Sequence, residues 1–143
     1  MPLTFLPFVK NPKGRGAAAF GVFMEKKKTR IAVFCSGGGT NLQALLDAEK
    51  SGVIQSGKIC LVLANSRSAY ALERAKGANV PTAVVTRRET GSQEAFEAEI
   101  LRILREYGIE LIVLAGFMSI LSENFTSKYP KRIINIHPSL IPS

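Results

Sequence analysis

From Arg30 onward, short apolar runs alternate with amphipathic ones. The runs at residues 31–35, 59–64, 82–85, 111–115 and 133–136 are short, apolar and rich in Ile and Val, which predicts strands. Between them lie helix-like segments. The clearest spans about 92–107: Phe96, Ile100, Ile103, Leu104 and Tyr107 repeat at helical spacing, with Glu94, Glu97, Arg102 and Arg105 largely outside that face. Ser92 is placed to cap its start and Gly108 to stop it. Strands alternating with helices predict an α/β fold, an open, doubly wound, mainly parallel sheet of Rossmann-like type. Such sheets bind ligands at the carboxyl ends of their strands, near the point where strand order reverses. That rule selects three places: residues 36–41 after the first strand, 116–121 after the fourth and 137–143 after the fifth.

The first 28 residues show neither period. They mix Pro2, Pro7, Pro12, Gly14, Gly16 and Gly21 with scattered apolar positions and predict a disordered basic extension. No uninterrupted apolar core follows a charged start, against a signal peptide, and serine is absent there, against a transit peptide. The folded unit is expected at 29–143.

Charge changes little in this picture. The net +8 would suggest a nucleic-acid partner if spread over a folded surface. Residues 1–30 hold seven basic groups against one acid, which leaves 12 basic and 10 acidic groups in the remaining 113 residues. The folded part is therefore close to neutral, and neither nucleic acid nor membrane is expected as a partner. The longest nearly apolar stretch, 111–121, is far short of the roughly 20 residues that a span requires. Cys35 and Cys60, both inside predicted strands and without CxxC spacing, read as small core groups in a reducing compartment. With a single histidine besides, no metal site is expected.

The chemistry lies in two of the loops. Ser36-Gly37-Gly38-Gly39-Thr40-Asn41 joins the first strand to a helix running to about Ser51. Consecutive glycines let a backbone approach a ligand closely, and free amides at a helix start suit an anion such as phosphate; the other reading is a mere tight turn. The loop is not the dinucleotide fingerprint, because Leu42 stands where the third glycine belongs and Asn65-Ser66, not an acid, ends the second strand. No Gly-Lys-Ser/Thr occurs, which excludes a Walker loop. Past the fifth strand, Asn135-Ile136-His137-Pro138-Ser139 sets an amide and an imidazole on the same side of the chain by the period of two. Imidazole can carry a proton near neutral pH, and its cation can stabilise an oxyanion. A loop histidine bonded to nearby backbone is the competing reading. The chain's one aspartate, Asp47, falls on the first helix, away from this edge.

These residues carry a resemblance. Ser-Gly-Gly-Gly-Thr-Asn-Leu-Gln-Ala-Leu (36–45), Leu-Ala-Gly-Phe-Met-Ser-Ile-Leu (114–121) and Asn-Ile-His-Pro-Ser-Leu-Ile-Pro (135–142) stand in the order and spacing of the phosphoribosylglycinamide formyltransferase family. The resemblance implies transfer of a formyl group from 10-formyltetrahydrofolate, as co-substrate, to the amine of glycinamide ribonucleotide, in the cytoplasm. It implies that the amides of Gly39, Thr40 and Asn41 hold the substrate phosphate. Met118, Ser119, Ile120 and Leu121 would line the folate pocket, with Asn135 shared by folate and catalysis and His137 at the formyl group. Without the family, Met118, Ile120 and Leu121 would read as ordinary core.

Two departures from the family pattern follow. A folate-contacting arginine is replaced here by Gln93. The family pattern also continues past Ser143 with further strands and an aspartate that orients the histidine. The chain taken alone is therefore expected to be inactive or nearly so, with an uncovered parallel sheet edge. A formyltetrahydrofolate hydrolase of the same fold is the nearest rival, but Pro138 and Gly116-Phe117 favour the transferase. Methionyl-tRNA formyltransferases share the histidine motif without the triple glycine. A non-catalytic phosphate-binding remnant is the alternative from another class.

Overall fold

The computed structural model describes residues 28–136. The predicted extension at 1–27 and the segment 137–143, His137 included, lie outside the described residues. Among the described residues five strands form one sheet: β1 (Thr29–Cys35), β2 (Gly57–Ala64), β3 (Thr82–Val84), β4 (Leu111–Ala115) and β5 (Ile133–Ile136). They interleave with α1 (Thr40–Lys50), α2 (Ala71–Gly77), α3 (Arg87–Thr90), α4 (Gln93–Glu106) and α5 (Glu123–Thr126). Every strand lies within two residues of its sequence-predicted span.

The order is β3-β2-β1-β4-β5 with every neighbouring pair parallel. The chain steps outward from β1 to β3, then returns to β1's other side with β4 and steps outward again to β5. Strand order thus reverses between β1 and β4, as the predicted doubly wound sheet requires.

Successive residues of a strand face opposite sides, and the core divides accordingly. On one side Ala32, Phe34, Leu61, Leu63 and Ile112 meet Phe96, Ile100 and Leu104 of α4. On the other, Val33, Cys35, Val62 and Val113 meet Leu42 and Leu46 of α1 and Ala71 and Ala75 of α2. Phe34, Phe96 and Phe125 are among the largest fully buried side chains, each contributing roughly 1.5–3 kcal/mol of transfer free energy. Between Ile31 and Ala32 the β1–β2 register skips Cys60, a bulge in β2. Both cysteines are free and buried, as expected.

The caps of α4 fall where the sequence places them. Ser92 Oγ accepts the amide of Ala95 at 3.0 Å, and Gly108 turns the chain out of the helix at φ 64°. One expectation for this helix is corrected. Glu97 is buried, 6% exposed, because the segment after β4 folds back over it. No described helix is long and apolar enough to cross a membrane. β5 lies at an edge of the sheet, with Ile134 half exposed.

Candidate functional site

The ends of β1 and β4, side by side in the sheet, bring two predicted loops together. Ser36 N–H donates to Gly116 O at 3.2 Å, and Met118 N–H donates to Ser36 Oγ at 2.7 Å. Residues 36–41 with Ala115, Gly116 and Met118 line a cleft of about 370 Å3. Gly39, Thr40 and Asn41 all border it, as does Met118. A larger cleft of about 470 Å3 lies between α1 and α2, bordered by Asp47, Lys50, Arg74 and Asn79. No strand end contributes to it. The site rule for parallel sheets therefore selects the smaller one, and Asp47 is away from it as expected.

Glycine is required at the loop's last turn. Gly39 has φ 78°, and a Cβ there would lie 2.8 Å from both Cα and Cβ of Ala71. Gly37 and Gly38 have open space where a Cβ would be, so their value to the loop is freedom and closeness of approach. Gly39 is the N-cap of α1 and no side chain caps that helix start. The first amides of α1 therefore lack intrahelical partners and lie at the positive end of the helix dipole.

The second loop carries an apolar surface. Met118 and Ile120 are each 81% exposed, which overturns their reading as core. Leu121 is half-buried and packs on the core beside α4. Ser119 Oγ accepts from Asn65 Nδ2 at 2.5 Å, so the end of β2 braces this loop. Two α4 residues hold it from below. Glu97 accepts the amide of Ser122 and its hydroxyl, each at 2.6 Å, and Gln93 Nε2 at 2.7 Å. Gln93 Nε2 also donates to Ile120 O at 3.0 Å, and Arg87 Nε donates to Gln93 Oε1 at 3.2 Å. The carboxamide at the family-arginine position is thereby committed to loop and helix. Burial pushes the Glu97 carboxyl up, yet the Ser122 and Gln93 hydrogen bonds outweigh it and hold the group below its ordinary 4.5.

Asn135 is exposed on β5, in register with Leu114, two positions before Gly116 on the adjacent strand. His137 falls outside the described residues. Among the described residues no group of three or more His, Cys, Asp or Glu is placed to hold a metal ion. The sequence reading missed Glu97, Gln93 as a brace, and Arg74, whose Nε donates to Gly38 O at 2.6 Å. Glu97 follows Phe96 and precedes Ile100 by three, adjoining the apolar stripe; that adjacency was the available signal.

Fold and site define the class: an open parallel α/β protein with a cleft at the switch point, between a glycine loop and an exposed apolar loop. The chain belongs to the formyl transferase family, whose model matches residues 29–143. It is 45% identical over 113 residues to the phosphoribosylglycinamide formyltransferase of Haemophilus influenzae, covering 79% of this chain and 53% of that protein. It is 42% identical over 120 residues to the trifunctional purine biosynthetic protein adenosine-3 of Gallus gallus, covering 84% of this chain and 12% of that one. The crystal structure of glycinamide ribonucleotide transformylase 1 from Geobacillus kaustophilus superposes with a TM-score of 0.75 at 42% identity, over 82% of this chain and 62% of that one. The chain thus spans about half the length of the bacterial relative.

Proposed function

We propose that the protein transfers a formyl group from 10-formyltetrahydrofolate to the amine of glycinamide ribonucleotide, a step of purine biosynthesis. The observation that carries this reading is the joining of the glycine loop to the exposed Met118 loop through Ser36 and Gly116. One cleft then offers an anion site at one wall and an apolar platform at the other. Similarity to the Haemophilus and Geobacillus enzymes supports formyl transfer to glycinamide ribonucleotide.

In this reading the amides of Gly39, Thr40 and Asn41 hold the substrate's phosphate, the helix start favouring its charge. Met118, Ser119, Ile120 and Leu121 form the folate pocket. The folate supplies an activated one-carbon group. As the substrate amine approaches the formyl carbon, negative charge develops on the formyl oxygen, where the Asn135 carboxamide and the His137 imidazolium would stabilise it. The His137 imidazolium would give its proton to the departing nitrogen and take up the one the amine releases, which leaves it protonated again. Fixing both substrates in one cleft would supply much of the acceleration. Two free, buried thiols suit a reducing compartment and support a cytosolic location.

Calorimetric titration of the chain with glycinamide ribonucleotide tests the proposal. Saturable binding that inorganic phosphate competes away is the expected result. Absence of binding overturns it; with 10-formyltetrahydrofolate then added, binding without formyl transfer points to the phosphate-binding remnant, and release of formate independent of the nucleotide points to the hydrolase.

A further inference from the structure

A loop of three glycines has no side chain to fix its peptide planes, so something else must set which way its amides face. The structure shows what does. Gly37 O accepts the amide of Ala71 at 3.1 Å, Gly38 O accepts Arg74 Nε at 2.6 Å, and Gly39 O accepts the amide of Gln43 at 2.8 Å. In a planar trans peptide the C=O of one residue and the N–H of the next point in opposite directions. With the carbonyls of Gly37 and Gly38 turned toward α2, the N–H groups of Gly38 and Gly39 point away from it. The N–H of Thr40 follows at the start of α1. Three successive donors therefore face away from the elements that hold their carbonyls.

Of these anchors only Arg74 is a side chain. Its guanidinium is itself held from two further directions, by Gln43 Oε1 at 3.3 Å and over the Tyr70 ring at 5.1 Å. A flip of the Gly38–Gly39 peptide meets no steric barrier from Cβ atoms, and it would present a carbonyl where an anion needs a donor. We infer that Arg74, by holding the Gly38 carbonyl, aims the amide of Gly39 at the phosphoester of the substrate, beside the Gly38 amide that the Ala71–Gly37 hydrogen bond sets, and is a positioning residue for the loop. This rests on the reading of the loop as the phosphate site. It also adds Gly38 to the donors expected there.

The test compares Arg74→Met and Arg74→Lys with the unaltered chain, titrating each with glycinamide ribonucleotide, inorganic phosphate and the unphosphorylated glycinamide riboside. Arg74→Met is expected to weaken the ribonucleotide and phosphate by about tenfold or more, as for loss of a charge-assisted hydrogen bond. The riboside should be unaffected. Lys can reach the carbonyl but cannot also bridge to Gln43, so Arg74→Lys should fall between. Should methionine unfold the chain, that intermediate affinity and the unchanged riboside carry the test. Equal ribonucleotide affinity in unaltered and variant chains overturns the inference alone. An unaltered chain that binds neither ribonucleotide nor phosphate overturns the functional reading and the inference with it.

Discussion

Glu97 and Ser122, 25 residues apart, are joined twice: one carboxylate oxygen accepts the Ser122 hydroxyl and the other its amide, both at 2.6 Å. Ser122 also caps α5 by accepting the amide of Phe125, so the pair fixes the far end of the loop that carries Met118 and Ile120. Glu97 is the one buried charged residue among the described residues, and its purpose is to hold a loop in shape.

A pH dependence follows from that pair. The folded-state pKa of Glu97 lies below its ordinary 4.5, so its contribution to stability is fully present above that value and is lost as pH falls through the folded value. Glu97→Gln should therefore melt lower than the unaltered chain at neutral pH, with the gap closing in acid. Thermal melts from about pH 7 to about pH 3 would show this, and parallel curves would sink the idea. Glu97→Ala should cost about 1–3 kcal/mol near neutrality.

Two glycines with positive φ should respond differently to the same methyl group. At Gly91, φ is 90° and nothing lies within 4 Å of a built Cβ, so Gly91→Ala should cost only about 1 kcal/mol of backbone strain. At Gly39 the methyl also collides with Ala71 at 2.8 Å. Gly39→Ala should cost distinctly more and should abolish phosphate binding, which Gly91→Ala should spare. Urea unfolding and phosphate titration of both variants check the contrast.

Exposure separates binding from folding at the apolar loop. Met118→Ala should change stability by no more than about 0.5 kcal/mol, since the side chain is 81% exposed. It should nonetheless weaken a formyl-folate ligand by roughly tenfold if that ligand buries the methionine. Phe125→Ala, by contrast, empties a fully buried site and should cost about 3–5 kcal/mol. A Met118→Ala chain that binds the folate normally would remove this residue from the pocket.

Cys35 should be inert while the chain is folded. Burial pushes its thiol up to about 12, and the side chain has no solvent exposure. Thiolate, the reactive form, is then scarce at any mild pH. Alkylation followed by mass spectrometry should label Cys35 only when urea unfolds the protein; labelling in native buffer would contradict the buried placement.

The strands were legible because each is a short run rich in Ile and Val; β1, β2 and β4 are largely buried, whereas β5 carries the exposed Asn135 and the half-exposed Ile134. The same logic located the two loops that meet in the cleft, since the switch-point rule needs only strand boundaries. Side-chain relations across the fold were not legible. The helical period put Glu97 outside the apolar face, and periodicity carries no record of a loop 25 residues on returning to cover it. The alternative reading of Met118 and Ile120 as core failed for a related reason. Apolar residues following a buried strand look continuous with it, although the turn at Gly116, φ 74°, carries the chain out to the surface. Arg74 escaped notice because its partner is a backbone carbonyl, to which composition gives no clue.

The central place of β1 governs how the chain must assemble. Its Arg30 amide donates to Glu110, eighty residues away, and its Ile31–Phe34 stretch waits for β4 to arrive on one flank. Loop-closure entropy is spent before that contact is gained, so folding should be slow for a domain of this size. On the ribosome, β1 would stay half-paired until β4 had emerged, a span during which its Ile31–Phe34 segment is open to mispairing.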